Sequence, residues 1–196
     1  MSEIHRFSSR LNQIIATPSV SCTAPEFDMP NVAVAELLAT WFEDLGFKAV
    51  VSPVEGAPGK ANFIASYGRG EGGLVLSGHT DTVPCNPDQW QQDPFMVSDR
   101  EQRFFGLGVA DMKGFFPTVV AALERCDLKK IQRPLIILGT ADEESSMCGA
   151  RALTSSSVAG ARFAVIGEPT GMKPIRMHKG IIMEAVRIKG LAEVGS

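Results

Sequence analysis

The chain has 196 residues, of which 44% are hydrophobic and 21% are charged, and its formal net charge at pH 7 is -3. This composition supplies the core of one domain and excludes an intrinsically disordered chain. The 19 Lys and Arg residues form no cluster, which gives no support for nucleic acid or an anionic membrane as a partner.

We expect a soluble, cytoplasmic protein. No apolar run approaches the roughly 20 residues that cross a membrane, and the N-terminus lacks the pattern of a signal peptide. The four cysteines show no C-x-x-C spacing, which is typical of free thiols in a reducing compartment. They are Cys22, Cys85, Cys126 and Cys148.

The first part of the chain predicts two helices followed by two strands. Apolar residues recur at helical spacing from 4 to 15, and residues 16–30 have the composition of a loop. A second helix is predicted after Asn31, a plausible N-cap, and it ends at Gly46. Strands are predicted over 47–51 and 61–66.

Glycines 68, 70 and 73 have the GxGxxG spacing of a dinucleotide-binding loop. That fingerprint follows a strand and opens a helix. Here the glycines lead into the apolar strand 74–76, so the pattern favours a hairpin loop and not a nucleotide site.

The rest of the chain alternates apolar strands with helices. The predicted elements are a hairpin with strands 95–97 and 103–105, a helix over 114–125, a strand over 134–138, a helix over 149–155, a strand over 163–166, and strand-like runs over 175–178 and 181–188. This alternation predicts an α/β fold with a mixed, largely parallel central sheet flanked by helices.

One histidine and five acidic residues lie next to these elements. Ligand sites in such folds form beyond the carboxyl ends of the strands. His79 and Asp81 share one strand face, because side chains alternate with period two. The set is His79, Asp81, Asp111, Glu143, Glu144 and Glu168.

Bare carboxylates do not crowd together, because like charges and burial raise their pKa values. Divalent cations are the simplest compensation, and mixed histidine and carboxylate ligands suit zinc, cobalt or manganese. The set therefore predicts part of a two-metal hydrolytic site.

Other interpretations stay open at this point. Residues 142–144 also fit a solvated acidic turn, Asp111 fits a helix N-cap, and Glu168 fits an ordinary loop. His5 and His178 are interpreted as structural. No Gly-x-Ser-x-Gly elbow is present, and Cys85 has no partner pattern for a thiol nucleophile.

Four motifs, in this order, resemble the two-zinc amidohydrolase and exopeptidase family, which includes deacetylases, desuccinylases, aminoacylases and carboxypeptidases. They are Gly78–Pro84, Gly106–Gly114, Asp142–Glu144 and Gly167–Thr170. The resemblance extends to Gly190 and implies a zinc-exopeptidase-like catalytic domain, incomplete at its C-terminus.

The resemblance implies two divalent metal ions, zinc or cobalt. His79 and Glu168 would bind one ion, Glu144 would bind the other, and Asp111 would bridge them. The catalytic residues would be Asp81, which orients the histidine, and Glu143, the general base that takes a proton from the attacking water and passes it to the leaving amine.

Residues 142–151 and 178–180 are similar to the acetylornithine deacetylase branch of the family. That similarity implies a small N-acyl amino acid as substrate, namely N2-acetyl-L-ornithine, cleaved to L-ornithine and acetate in arginine biosynthesis. The alternatives are a succinyl-diaminopimelate desuccinylase, another N-acyl amino-acid amidohydrolase or dipeptidase, or a non-catalytic metal-binding remnant.

The family pattern continues beyond the part that residues 1–190 resemble. Family members go on into a lid domain, through which they form homodimers, whereas residues 191–196 do not match the pattern. The lid would supply a histidine to the oxyanion, and a later histidine would complete the second metal site. We therefore expect this chain to be a poor catalyst alone.

Overall fold

The computed structural model describes residues 2–177 together with residues 180 and 190. The helices in this part of the chain are α1 (Glu3–Ile15), α2 (Val32–Asp44), α3 (Phe115–Glu124) and α4 (Cys148–Arg151). The strands are β1 (Lys48–Pro53), β2 (Ala61–Tyr67), β3 (Gly73–His79), β4 (Ser98–Arg100), β5 (Arg103–Phe105), β6 (Leu135–Thr140) and β7 (Ala161–Ile166). Short 3-10 helices cover Pro87–Gln89, Leu128–Lys130 and Ser155–Val158.

Five strands form the central sheet in the order β1-β2-β6-β3-β7, and β4 and β5 form a separate hairpin. β2 is antiparallel to both of its neighbours, whereas β3 is parallel to β6 and β7. Four of the five strands therefore point in one direction, which confirms the mixed, largely parallel sheet. The carboxyl ends of β6, β3 and β7 consequently lie side by side at one edge.

Helices cover one face of this sheet. α2 packs against β1 and β2, α3 packs against β3, and α1 packs against α3. The core on this side contains Phe42, Phe63 and Phe116, which are fully buried. Each such side chain stabilises the fold by about 1.5–3 kcal/mol through removal of its surface from water.

A smaller apolar cluster covers the opposite face, where Val75, Ile136 and Leu138 pack against Leu153 and Val158. All six residues of β6 are buried. This agrees with the apolar run 134–138, which predicted a strand covered on both faces.

The predicted hairpin between β2 and β3 is wrong, because β6 lies between these two strands. The glycine-rich connection has to pass the start of β6. A Cβ atom on Gly73 would lie 2.2 Å from the carbonyl oxygen of Pro134, the residue before β6. Close approach of two backbones therefore explains this glycine, and a hairpin turn does not.

Two other element boundaries differ from the prediction. Residues 95–97 form no strand, since Asp93 accepts hydrogen bonds from the backbone of the next residues and makes a turn. The hairpin instead turns at Glu101 and Gln102, whose positive φ angles of 54° and 59° suit a two-residue connection. The helix predicted over 149–155 divides into α4 and the 3-10 helix Ser155–Val158.

The run predicted as a strand over 175–178 is not a strand at residues 175–177, and its last residue lies outside the described residues. The run over 181–188 also lies outside them. All four cysteines are free thiols, as predicted. No helix in the described part of the chain is both long enough and apolar enough to span a membrane.

Candidate metal centre

His79 is the last residue of β3 and is 2% exposed. Its Nδ1 lies 3.0 Å from the backbone carbonyl oxygen of Asp81 and 3.6 Å from the Oδ1 atom of the same residue. Because a carbonyl oxygen only accepts hydrogen bonds, Nδ1 carries a hydrogen. In the neutral ring, Nε2 is therefore the nitrogen that offers a lone pair to a ligand.

Two carboxylates face Nε2 of His79. Oδ1 of Asp111 lies 3.1 Å from it, and Oε1 of Glu168 lies 3.9 Å from it. The side chains of Asp111 and Glu168 are 54% and 41% exposed, so this side of the centre is open to solvent. Asp111 is not the cap of α3, since Gly114 occupies the N-cap position.

Glu143 and Glu144 lie in the turn that follows β6. Their backbone N–H groups donate to the two carboxylate oxygens of Asp81, over 3.1 Å and 3.0 Å. Asp81 is 1% exposed. Its carboxylate thus fixes the backbone of this turn, in addition to lying near the His79 ring. The sequence pattern predicted the contact between Asp81 and His79, but not the hydrogen bonds from Asp81 to the backbone of Glu143 and Glu144.

The predicted residues come together in two groups that share one histidine. Ligand atoms of His79, Glu143 and Glu144 all lie within 4.8 Å of one another, and so do those of His79, Asp111 and Glu168. Asp81 lies behind the centre as a hydrogen-bond acceptor. A nitrogen with several carboxylate oxygens is a donor set that zinc and similar ions accept.

The electrostatics of the cluster favour a cation. Burial raises the pKa of Glu144, and the charges of Asp111 and Glu143 raise it further while His79 opposes them. Burial and the same two carboxylates raise the pKa of Glu168. The raised pKa values show that the ionised carboxylates repel one another in this partly buried cluster. A divalent cation would compensate this repulsion. The residues present therefore fit a metal.

His79 responds to the same field. Burial acts against its positive form, but the negative charges of Asp81, Glu143, Glu168 and Glu144 outweigh burial and raise its pKa. The imidazole thus lies among four acidic side chains. His79 accordingly belongs to both of the candidate metal-binding groups.

The turn after β6 is not a solvated acidic turn, because Asp142 is 6% exposed and bonded on several sides. Lys60 donates from Nζ to Oδ1 of Asp142 over 2.9 Å and to Oδ1 of Asp28 over 2.7 Å. Burial opposes the charge of Asp142, yet hydrogen bonds from Ser146, Ser21 and Lys60 hold its pKa well below the usual range.

Two buried lysines near the centre, Lys60 and Lys113, were not predicted from the sequence. Lys113 is 1% exposed, and its Nζ donates to the carbonyl oxygen of Thr17 over 2.7 Å and to Oγ of Ser19 over 3.2 Å. Burial lowers its pKa to about 7, although Asp81 opposes the shift. The one available signal was the position of Lys113 two residues after Asp111.

Asn31 also does more than the sequence indicated. It occupies the N-cap position of α2, but its side chain does not cap the helix. Its amide group bonds to both backbone groups of Ala61, and it donates to Oγ1 of Thr80 over 2.7 Å. It therefore ties β2 to the residue after His79.

Known proteins resemble this chain in sequence and in fold. The acetylornithine deacetylase of Pasteurella multocida (strain Pm70) is 49% identical over 190 residues, which make up 97% of this chain and 50% of that protein. The chain thus spans about half the length of this relative.

Solved structures share the fold at low identity. Human carnosine dipeptidase 1 superposes with a TM-score of 0.70 at 20% identity, over 83% of this chain and 38% of its own. The M20 family metallo-carboxypeptidase Sso-CP2 from Sulfolobus solfataricus gives 0.58 at 22% identity, over 70% of this chain and 31% of its own.

A family profile matches the segment that contains all six predicted site residues. The profile is that of peptidase family M20/M25/M40, and it matches residues 75–188, more than half of the chain. Together with the 49% identity above, this match shows that the chain belongs to peptidase family M20/M25/M40.

Proposed function

We propose that this centre is the two-metal site of an amidohydrolase that cleaves N2-acetyl-L-ornithine to L-ornithine and acetate, a step in arginine biosynthesis. The observation that carries the proposal is the meeting at His79 of two pairs of carboxylates, Asp111 with Glu168 and Glu143 with Glu144, of which we assign all but Glu143 as metal ligands. The choice of substrate is supported by the 49% identity to a protein named acetylornithine deacetylase. Since the chain spans half of that relative, the proposal concerns the whole protein of which this chain carries the ligand groups.

The ligands divide between two ions in this proposal. His79 and Glu168 would hold one ion, Glu144 would hold the other, and Asp111 would be shared by both. Zinc or cobalt fits this mixture of donors. Bound ions of this kind supply Lewis acidity, which polarises the substrate carbonyl and makes water a stronger acid.

Glu143 is the proposed general base. It takes a proton from the attacking water and returns it to the amine that leaves. The hydrogen bond from its backbone N–H to Asp81 fixes the position of the Glu143 backbone, from which the side chain extends.

Turnover by the 196-residue chain alone is proposed to be slow. The family lid would supply a histidine that stabilises the oxyanion, and removing one such donor typically costs about 10²–10³ in rate. The chain has three histidines, of which His79 is a proposed ligand and His5 lies in α1. Metal binding is therefore the first measurement to make, and turnover is the second.

Calorimetric titration of the metal-depleted chain with Zn²⁺ and with Co²⁺ tests the site. We expect binding that Glu144→Gln weakens strongly and that Glu143→Gln leaves nearly unchanged, because the second residue is the base and not a ligand. Glu101→Gln, at the distant hairpin turn, is the matched control. No metal binding by the unaltered chain, or equal losses from the two site variants, would contradict these assignments.

Hydrolysis assays then separate the substrates. Acetylornithine, succinyl-diaminopimelate and a dipeptide are compared at equal concentration with Zn²⁺ or Co²⁺ present. Preference for acetylornithine supports the proposal. Preference for either competitor assigns the protein to another branch of the family, and metal binding without any turnover favours a non-catalytic metal-binding remnant.

A further inference from the structure

A three-residue segment far from the ligands in sequence contacts three of the four loops that carry them, the fourth being the loop of Glu168. We call residues Ser19–Ser21 the strap, and residues 79–82, 111–113 and 142–145 the first, second and third ligand loops. The strap lies between α1 and α2, and both of its serines are 1% exposed. No ligand of the proposed metal centre comes from this part of the chain.

The strap pairs with the first ligand loop as a short parallel bridge, which joins Val20 and Thr82. Oγ of Ser19 donates to the carbonyl oxygen of Thr80 over 2.7 Å. The N–H of Thr82 donates to the carbonyl oxygen of Ser19 over 3.1 Å, and the N–H of Ser21 donates to that of Thr82 over 2.8 Å. The backbone on both sides of Asp81 is thereby fixed to the strap.

Ser19 also reaches the second ligand loop. Its Oγ accepts a hydrogen bond from Nζ of Lys113 over 3.2 Å. Nζ of Lys113 is the donor in this bond, because the single hydrogen of the serine hydroxyl is already used on Thr80. One buried hydroxyl therefore joins the loop of Asp111 to the loop of His79, with its donor and one acceptor position both in use.

Ser21 reaches the third ligand loop. Its Oγ lies 2.6 Å from Oδ1 of Asp142 and 2.7 Å from Oγ of Ser145. Since Asp142 is ionised and only accepts, the hydroxyl of Ser21 donates to it, and Ser145 donates to Ser21. Asp142 directly precedes Glu143 and Glu144, so this bond acts on the turn that holds them.

We propose that the strap is a positioning element that sets the distances between the three ligand loops and thereby the affinity of the centre for metal. This inference rests on the proposed metal-binding function. The physical reason is that each of the three loops is bonded to the same short segment. A loop that shifts relative to the other two therefore has to break its buried hydrogen bonds to the strap. Residues that orient metal ligands in this indirect way typically contribute about 10–100-fold to metal affinity.

Ser21→Ala is the variant that tests the strap. We expect Zn²⁺ affinity to fall about 10–100-fold and the visible spectrum of the Co²⁺-loaded chain to change. We also expect faster hydrogen exchange at the amides of Glu143 and Glu144 in the metal-free chain. Ser21→Thr restores the hydroxyl and should recover all three properties. Thr17→Ala is the control, because its hydroxyl bonds only to the adjoining helix while its backbone oxygen still accepts from Lys113.

Unchanged affinity, spectrum and amide exchange in Ser21→Ala would overturn the proposal. If the unaltered chain binds no metal but Ser21→Ala still speeds exchange in the third ligand loop, the strap holds the loops and the proposed metal function is wrong. Ser21→Cys keeps the shape of the side chain, with a slightly larger atom and a weaker donor, so it provides the same readouts if the alanine variant does not fold.

Discussion

The substitution Asp81→Asn separates two contacts that one residue makes. The carboxylate accepts the N–H groups of Glu143 and Glu144, whereas the backbone oxygen faces Nδ1 of His79. The asparagine variant would keep the backbone oxygen and therefore the orientation of the imidazole. Its new side chain has one acceptor oxygen and an NH₂ group, so one of the two glutamate amides would face a donor.

The magnitude follows from the two hydrogen bonds. A bond to a charged group contributes about 1.5–3 kcal/mol net, and a neutral bond about 0.5–1.5 kcal/mol, so replacing two of the first kind by one of the second costs about 2.5–4.5 kcal/mol. Asp81 is 1% exposed, so the amide also avoids the larger desolvation cost of a carboxylate. We therefore expect a loss near the lower end, about 2.5 kcal/mol of the free energy of unfolding.

Urea denaturation of the metal-free chain at neutral pH, followed by tryptophan fluorescence, measures this loss. Trp41 is 7% exposed in α2 and reports on unfolding of the core. Asp99→Asn, on the exposed face of the small hairpin, is the matched control for removal of one negative charge. A change within about 0.5 kcal/mol, the scatter of surface substitutions, would refute the reasoning if exchange at the two glutamate amides is also unchanged.

Three further substitutions test other parts of the structure. Lys60→Met leaves the buried carboxylate of Asp142 unpaired, so we expect a loss of about 3–5 kcal/mol in urea denaturation, which Asp142→Asn in the same chain should partly relieve. In Gly149→Ala the new Cβ would lie 2.4 Å from a backbone nitrogen at the end of β6, and we expect a loss of about 1–3 kcal/mol with weaker metal binding; an equal melting temperature would contradict this steric argument. Hydrogen bonding to Arg10 lowers the pKa of Glu124 below 4.5 although burial opposes it, so its contribution to stability is complete above that pH and is lost as the pH falls through the lowered pKa. Glu124→Gln should therefore flatten the acid side of the curve of urea midpoint against pH, and a curve parallel to that of the parent chain would rule out this ion pair as a source of acid sensitivity.

Local patterns were enough to predict most elements of the fold. The apolar run that became β6 is buried along its whole length, and the helical spacing of residues 4–15 became α1. Both signals lie within one element, where side-chain period and burial are directly linked. The carboxyl ends of neighbouring strands then brought His79 and Glu168 to the same edge, as the α/β pattern predicts.

Strand order and the hydrogen bonds behind the metal centre were not predictable in this way. The glycine-rich connection resembled a hairpin because nothing within it shows that β6 takes the place between its two strands. Lys60, Ser19 and Ser21 are single polar residues without a spacing pattern, and their partners lie far along the chain. Only tertiary structure reveals that they are buried and paired.

The insertion of β6 between β2 and β3 links the proposed metal centre to the order in which the chain folds. His79 pairs with Thr140 across the two parallel strands, and Leu74 pairs with both Leu135 and Phe163. Contacts between residues so far apart in sequence form slowly, because loop closure precedes any gain from pairing. The contacts of His79 with Glu143, Glu144 and Glu168 thus require β6 and β7 to be docked. An ion that binds only this docked state would stabilise it by about 2.7 kcal/mol at a free concentration of 100 times its Kd. It would therefore favour the fully folded chain over states in which β6 or β7 is undocked.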